Sequence, residues 1–244
     1  MNMNRPAIKR QARELIRSSR SLVITGTLIL FAVLLLLAFL SYKLTGMSVN
    51  DTKQFYDLLD AGDFERAYAF SQSHGPSAGA NLIDLLLEAV TGILSAGYLI
   101  FLLNVIRGTG AEYGNLLDGF GIWWRVILLN VVVSILVTLW SLLLIIPGII
   151  ASYRYRMAQY LLITHPEYSI MDCIRESKQL MKGRKWEIFV LDLSFIGWFL
   201  LCAIPIAGWI LLLWVIPYAN ITELLYFERY SGQGAYAVSE NSYF

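Results

Sequence analysis

The feature that most limits this chain is the length of its unbroken apolar blocks. Residues 22–42, 82–106, 122–146, 186–204 and 208–227 each approach or exceed the roughly 20 residues that carry a helix across a bilayer. Charged residues make up 15% of the chain and hydrophobic ones 57%. A soluble domain usually holds about 25% charged residues. The expected fold is therefore all-α. It is a polytopic membrane helix bundle of six transmembrane helices, with two amphipathic interfacial helices and a small extracytoplasmic helical hairpin.

The first block follows a basic stretch, as a secretory signal would. It is longer than a signal core, and Leu40, Ser41 and Tyr42 make a poor cleavage site, so an uncleaved anchor is expected. Cys173 falls in an expected cytoplasmic segment and Cys202 in a span, so no disulfide is expected. The cysteines and histidines lack metal-ligand spacing. Phosphate-loop, zincin, nucleophile-elbow and paired-cysteine motifs are absent, so neither a catalytic residue nor a cofactor is expected, and no nucleic-acid partner.

Along the chain, 1–20 reads as a cytoplasmic amphipathic helix. Ile8, Ala12, Leu15 and Ser19 form one face and Lys9, Arg10, Arg13 and Arg17 flank it. Such a helix suits anionic lipid headgroups, and it equally suits a plain topology signal. The first span is 21–42, and 43–80 is an extracytoplasmic helical insert. Within the insert, Asp51 caps a helix to Asp60, 61–63 is a turn and 64–72 a second helix. This pair looks like one tetratricopeptide turn, with Phe55, Leu58, Leu59, Phe64 and Tyr68 as its core. A linker of His74, Gly75, Pro76 and Ser77 follows.

Residues 81–230 hold five further spans, and 231–244 form a cytoplasmic tail. The third span turns at Pro147, which fits the first turn of a fourth helix ending near Thr164. A second amphipathic helix occupies 169–183, with Ile170, Ile174, Ser177 and Met181 on one face. The chain turns again from Pro205 to Gly208. Residues 121–147 and 183–205 echo each other: Gly121, Trp124, Asn130 and Pro147 against Gly183, Trp186, Asp192 and Pro205.

Lys and Arg set the orientation. Arg5, Lys9, Arg10, Arg13, Arg17 and Arg20 precede the first span, and Arg175, Lys178, Lys182, Arg184 and Lys185 follow the fourth. The insert carries Lys43, Lys53 and Arg66 among more acidic residues. Both termini are then cytoplasmic and the insert lies outside. Trp123, Trp124 and Trp186 belong to the inner interface and Trp140 and Trp209 to the outer.

Ile146, Pro147, Gly148, Ile149 and Ile150, then Arg154, Tyr155, Met157 and Tyr160, form one recognisable run. A second comprises Ser177 to Gly183, Trp186 and Leu193 to Trp198, and a third is Pro217-Tyr218. Together they resemble a family of bacterial integral membrane proteins, the domain of unknown function 975. The likeness covers the later part of the chain well and the N-terminal helix loosely, and leaves out the insert. That family is distantly similar to the membrane part of some glycerophosphodiester phosphodiesterases, which is not their catalytic part. The resemblance implies a bacterial plasma membrane location and several spans, and brings no activity or catalytic residue.

Polar residues inside spans mark the one candidate site, because a charge there needs a partner or water. Asp192 lies six residues past Trp186, and Asn130 six past Trp124, each about 9 Å deep. Glu223 is expected about 8 Å from the inner face. Arg154 and Arg156 start higher and reach down. Asn130, Arg154, Arg156, Asp192, Asn220 and Glu223 are thus expected in one inner-leaflet layer, two arginines facing two carboxylates. Asn104, Tyr155 and Tyr218 are candidates for further hydrogen bonds, and Pro217 for a kink. The layer reads either as a clamp fixing helix register or as a cavity for a headgroup, ion or small solute.

Three functions follow. The first is a non-enzymatic protein that organises or assists other membrane components, with the lipid bilayer and a membrane-protein partner as its contacts. The second is a transporter or binding protein for a solute or lipid headgroup. The third is an intramembrane enzyme, for which His165, beside Pro166, is a weak catalyst.

Overall fold

The computed structural model describes residues 5–45, 49–74, 77–202, 204 and 207–232. Among these every element is helical. The order is α1 Arg5–Ser18, α2 Arg20–Thr45, α3 Val49–Asp60, α4 Phe64–His74 and α5 Ala78–Arg107. A 3-10 helix, Tyr113–Ile122, leads into α6 Trp123–Leu143. Then come α7 Ile145–Tyr155, α8 Ala158–Thr164, α9 Ile170–Leu180, α10 Lys185–Leu201 and α11 Ala207–Ser231. The tail from 233 on, Pro205 of the second turn and Gly75-Pro76 of the linker lie outside the described residues.

Four described segments are long and apolar enough to cross a membrane: Arg20–Leu44, Ala78–Arg107, Tyr113–Leu143 and Gly208–Ser231. The other two expected spans differ. The fourth is divided, because Arg156 and Met157 separate α7 from α8, and the 11 residues of α7 rise only about 16 Å. The fifth, α10, has 17 residues.

The chain forms two compact units, Phe31–Thr91 and the remainder. In the smaller one, α3 and α4 pair across a turn at Gly62, whose φ of 73° is left-handed and suits glycine. Asp63 Oδ1 accepts from Arg66 N at 3.1 Å and starts α4. The expected core is corrected here. Phe64 and Tyr68 are exposed, and Ala67 faces inward. Asp63 and Ala67 share a face, four residues apart, and Phe64 and Tyr68 lie about 100° round from it. Ser41 Oγ donates to Asp84 at 2.6 Å, joining the ends of α2 and α5 within this unit.

The larger unit has its core around α5, α8, α9 and α11, with Phe101, Leu102, Tyr160, Leu162, Met181, Ile221 and Tyr226 all buried. The glycine-rich connector folds as the 3-10 helix and lies directly on α5. A Cβ on Gly97 would strike the Leu116 carbonyl, and one on Gly119 the Ile93 carbonyl. Backbones therefore touch where side chains would hold them apart.

Helix α1 buries Ile8, Ala12 and Ile16, and packs along α11. Ile16 takes the place expected for Ser19, because Ser19 sits in the turn between α1 and α2. Helix α9 starts at a capping box, Ser169 with Asp172, and buries Cys173, Ile174 and Ser177, with Met181 just beyond.

Helices α6 and α7 make an antiparallel hairpin with a single residue between them. Leu144 is extended, at φ −163° and ψ 149°. The turn thus comes three residues before Pro147, which occupies the first turn of α7 as expected.

Candidate functional site

Arg156 occupies the break between α7 and α8. From there its side chain reaches both α10 and α11. Nη1 and Nη2 donate to Asp192 on α10, at 2.5 and 3.2 Å. Nε and Nη2 donate to Glu223 on α11, at 2.5 and 3.1 Å. Tyr153 adds its hydroxyl to Asp192 Oδ2 at 2.9 Å, and its ring centre lies 5.5 Å from the guanidinium carbon. The planar fork of arginine suits this double grip, which the compact ammonium of a lysine could not match bidentately on both sides. One cation and two carboxylates leave the trio at +1 − 2 = −1 with both acids ionised.

The structure thus brings together three of the six expected residues. The other three go elsewhere. Arg154 places its guanidinium 5.8 Å from the ring centre of Trp140, and its carbonyl accepts from Ser177 at 3.0 Å. Arg154 and Arg156 are two positions apart, so they leave a helix about 200° apart and cannot share a partner. Asn130 lies against α5 at Gly92, its Nδ2 3.0 Å from where a Cβ would stand. Asn220 donates to the Ile216 carbonyl of its own helix at 2.9 Å, one turn back and beside Pro217. Tyr153, not Tyr155, joins the trio, being one turn before Arg156 on the same face. Tyr218 packs between Phe195 and Trp214, at 5.1 and 4.8 Å between centres, and Asn104 accepts from Thr109.

A second polar cluster escaped the sequence reading. Arg107, at the end of α5, donates from Nη2 to Glu228 Oε1 at 2.5 Å and from Nε at 3.1 Å. The Tyr160 hydroxyl donates to the same oxygen at 3.1 Å and meets Ser231 Oγ at 3.0 Å. Glu228 is 4% exposed. It lies just past the last apolar block, 208–227, where a charge is ordinary. A third group joins Glu187 of α10 to the hydroxyls of Tyr226 and Tyr230 on α11, with Arg184 4.3 Å from the Tyr230 ring centre. Helix α11 therefore meets a polar partner at each turn of its second half.

Around α9, Arg125 donates to the carbonyls of Pro166 (2.9 Å) and Tyr168, pinning the α8–α9 loop to the start of α6. His165 stacks on Tyr168 and bonds Glu167 at 2.8 Å. That leaves it in a loop, within a local structure of its own. The Ser169 hydroxyl and backbone N–H, then Arg175, hold the Asp172 carboxyl below the usual carboxylate range. Burial pushes the Cys173 thiol up. No group of three or more His, Cys, Asp or Glu residues among the described ones forms a metal cluster.

Residues 141–233 match the family described as Protein of unknown function (DUF975). Over this segment the chain is similar to the DUF975 family. The DUF975 segment runs from the end of α6 through α11, so it holds Tyr153, Arg156, Asp192, Glu223 and Glu228, and leaves out Asn130 and Arg107. Neither a curated protein nor a solved structure matches the chain.

Proposed function

We propose that this chain is a non-enzymatic integral protein of the bacterial plasma membrane that organises or assists other membrane components. Both termini and α9 face the cytoplasm, and the α3–α4 hairpin faces outward. The charge distribution supports this orientation. The observation that carries the non-enzymatic reading is the Arg156 trio. Arg156 donates to both carboxylates at once, so the trio serves as a fastener between α7, α10 and α11. Acid–base or nucleophilic catalysis calls instead for a group aimed at a substrate. The expected partners are anionic headgroups beside α1 and a second membrane protein. The test is cross-linking in intact membranes, followed by affinity isolation in mild detergent with lipid analysis. A reproducible partner protein or an enriched anionic lipid supports the reading. Absence of both overturns it.

One observation favours a second reading, a binding or transport site for a small solute or headgroup. The α7–α8 helix is interrupted at Arg156 and Met157, whose backbone stays in the right-handed helical region, and transporters place ligands at interrupted helices. Under that reading Asp192→Asn and Glu223→Gln abolish solute binding or flux in proteoliposomes while the protein stays folded. Unchanged flux, or none in the parent, removes it.

A further inference from the structure

We propose that the α6–α7 and α10–α11 hairpins enter the bilayer from the side on which α1 lies and turn inside it, their tips covered by lipid acyl chains. The inference rests on the membrane reading above. It replaces six crossings by two, α2 and α5, with two re-entrant hairpins. Either count leaves both termini on one side.

The tips are built for hydrocarbon. Between Ser141 and Ser152, and again between Ser194 and Tyr218, no residue carries a charge, an amide or a hydroxyl. Leu142 and Ile145 are 78% and 77% exposed, and Leu200 and Ile210 both 69%. A turn that emerges into water has no need of such residues. The insert between α2 and α5 shows the contrast, with Asp51, Lys53, Asp57, Asp60, Asp63 and Glu65.

Among the described residues part of the backbone at each tip is paired within the turn, as a position inside lipid favours. Leu144 N donates to the Trp140 carbonyl at 3.3 Å, and Gly148 N to the Leu144 carbonyl at 3.2 Å. Pro147, in the first turn of α7, has no N–H to leave unpaired. At the other tip Cys202 N donates to Trp198 at 3.1 Å and Gly208 N to Ile204 at 2.8 Å. A glycine closes each turn: a Cβ on Gly148 would strike Ser141, and one on Gly208 would strike the Cys202 carbonyl.

Helix α1 fixes how deep the tips can go. Lys9 donates to Ser194 Oγ at 2.5 Å and stands 4.2 Å from the Phe195 ring centre. Arg10, Arg13 and Arg17 of the same helix are exposed. From Ser194 to the turn at Cys202 is eight residues, about 12 Å, a little under half of a core of roughly 30 Å. Carrying the tip across would sink the basic residues of α1 into hydrocarbon, where charge is strongly disfavoured. The other hairpin stands level. Tyr153 meets Asp192 at 2.9 Å, nine residues from Leu144 and ten from Cys202, or about 14 and 15 Å. Basic side chains at the headgroups and aliphatic tips beyond them match one leaflet of an anionic membrane.

The native Cys202 is a reporter that needs no change at the tip. With Cys173→Ala as background, a membrane-impermeant maleimide is applied to each face of sealed membranes. Arg10→Cys and Ser73→Cys serve as controls, expected to label from opposite faces. Cys202, and Leu144→Cys in a Cys202→Ala background, are expected to label at least about tenfold more slowly than either control from both faces, since the reactive thiolate does not form in hydrocarbon. Both should recover in denaturing detergent. A fluorophore on Leu144→Cys should be quenched by mid-chain spin-labelled lipid more than by headgroup-labelled lipid. Tip labelling at the Ser73→Cys rate from that same face means a full crossing and overturns the proposal. Protection of Arg10→Cys together with the tips means α1 itself is embedded, and also overturns it. If the controls label without any membrane barrier, the membrane reading itself fails, and this inference with it.

Discussion

Arg156 is the residue on which the larger unit depends most directly, because it is the single cation between two carboxylates from different helices. Removing it leaves two anions facing each other without a donor. Removing one carboxylate leaves the other still paired. Breaking a buried pair by deleting one partner costs about 3–5 kcal/mol. The trio is half-buried, so Arg156→Gln should cost about 2–3 kcal/mol and lower the thermal midpoint in detergent markedly. Asp192→Asn and Glu223→Gln should each cost less than half as much. If the carboxylate variants are the more damaging, the fastener reading of Arg156 is wrong. Glu228→Gln should also be costly, because Arg107 and Tyr160 both use its Oε1. The first trio was legible because Asp192 and Glu223 interrupt apolar blocks at matching depth and the long Arg156 side chain can reach down to them. Arg154 was misplaced with them, since depth arithmetic carries no information about helical phase. Glu228 and Arg107 could not be read at all. Both sit at block ends, where charge is ordinary, and only the packing of α5, α8 and α11 makes them partners.

Helix–helix spacing carries the element-scale argument. The 3-10 helix meets α5 backbone to backbone, so Gly97→Ala should cost about 1–3 kcal/mol by overpacking. Gly121→Ala has open space around it and should be neutral within about 0.5 kcal/mol. Paired thermal melts check this, and equal effects would mean the close contact is not formed. At α9, Ser169→Ala removes the cap and should cost about 1 kcal/mol, read as faster amide exchange in the first turn. The same cap depends on pH. Asp172 has its folded pKa lowered, by its Ser169 hydrogen bonds first. Its contribution is therefore present above the ordinary carboxylate range and is lost as pH falls through the lower folded value. Amide protection in α9 should drop on acidification, and drop less in Ser169→Ala. Helix α9 was legible from its amphipathic pattern and basic flank, whereas the Ser169–Asp172 capping box came from the structure. The 3-10 helix was not, since glycine and asparagine read as loop until another backbone is found against them.

At the scale of the whole molecule, basic residues and apolar length have to be reconciled. Block length alone reads as six crossings, because each block is counted without regard to what packs beside it. The structure adds that α1, basic on its outer faces, lies along α11, the helix that carries the last apolar block. A full crossing by α11 would draw those charges toward hydrocarbon, and the re-entrant proposal avoids that. The proposed orientation is the same under either count, since even numbers of crossings leave the ends together. It has its own test. Cysteines at Arg10, Met171 and Arg229 should label from one face of the membrane, and one at Ser73 from the other. Neutralising Arg10, Arg13 and Arg17 together should leave the fold intact, because Ile8, Ala12 and Ile16 hold α1 in place. It should also abolish any gain in thermal stability from anionic over zwitterionic lipid. That gain is expected at about 1 kcal/mol per basic side chain at the surface, and should fade as salt screens it. Equal stabilisation of parent and variant by anionic lipid would move the headgroup contact away from α1, to the basic end of α9.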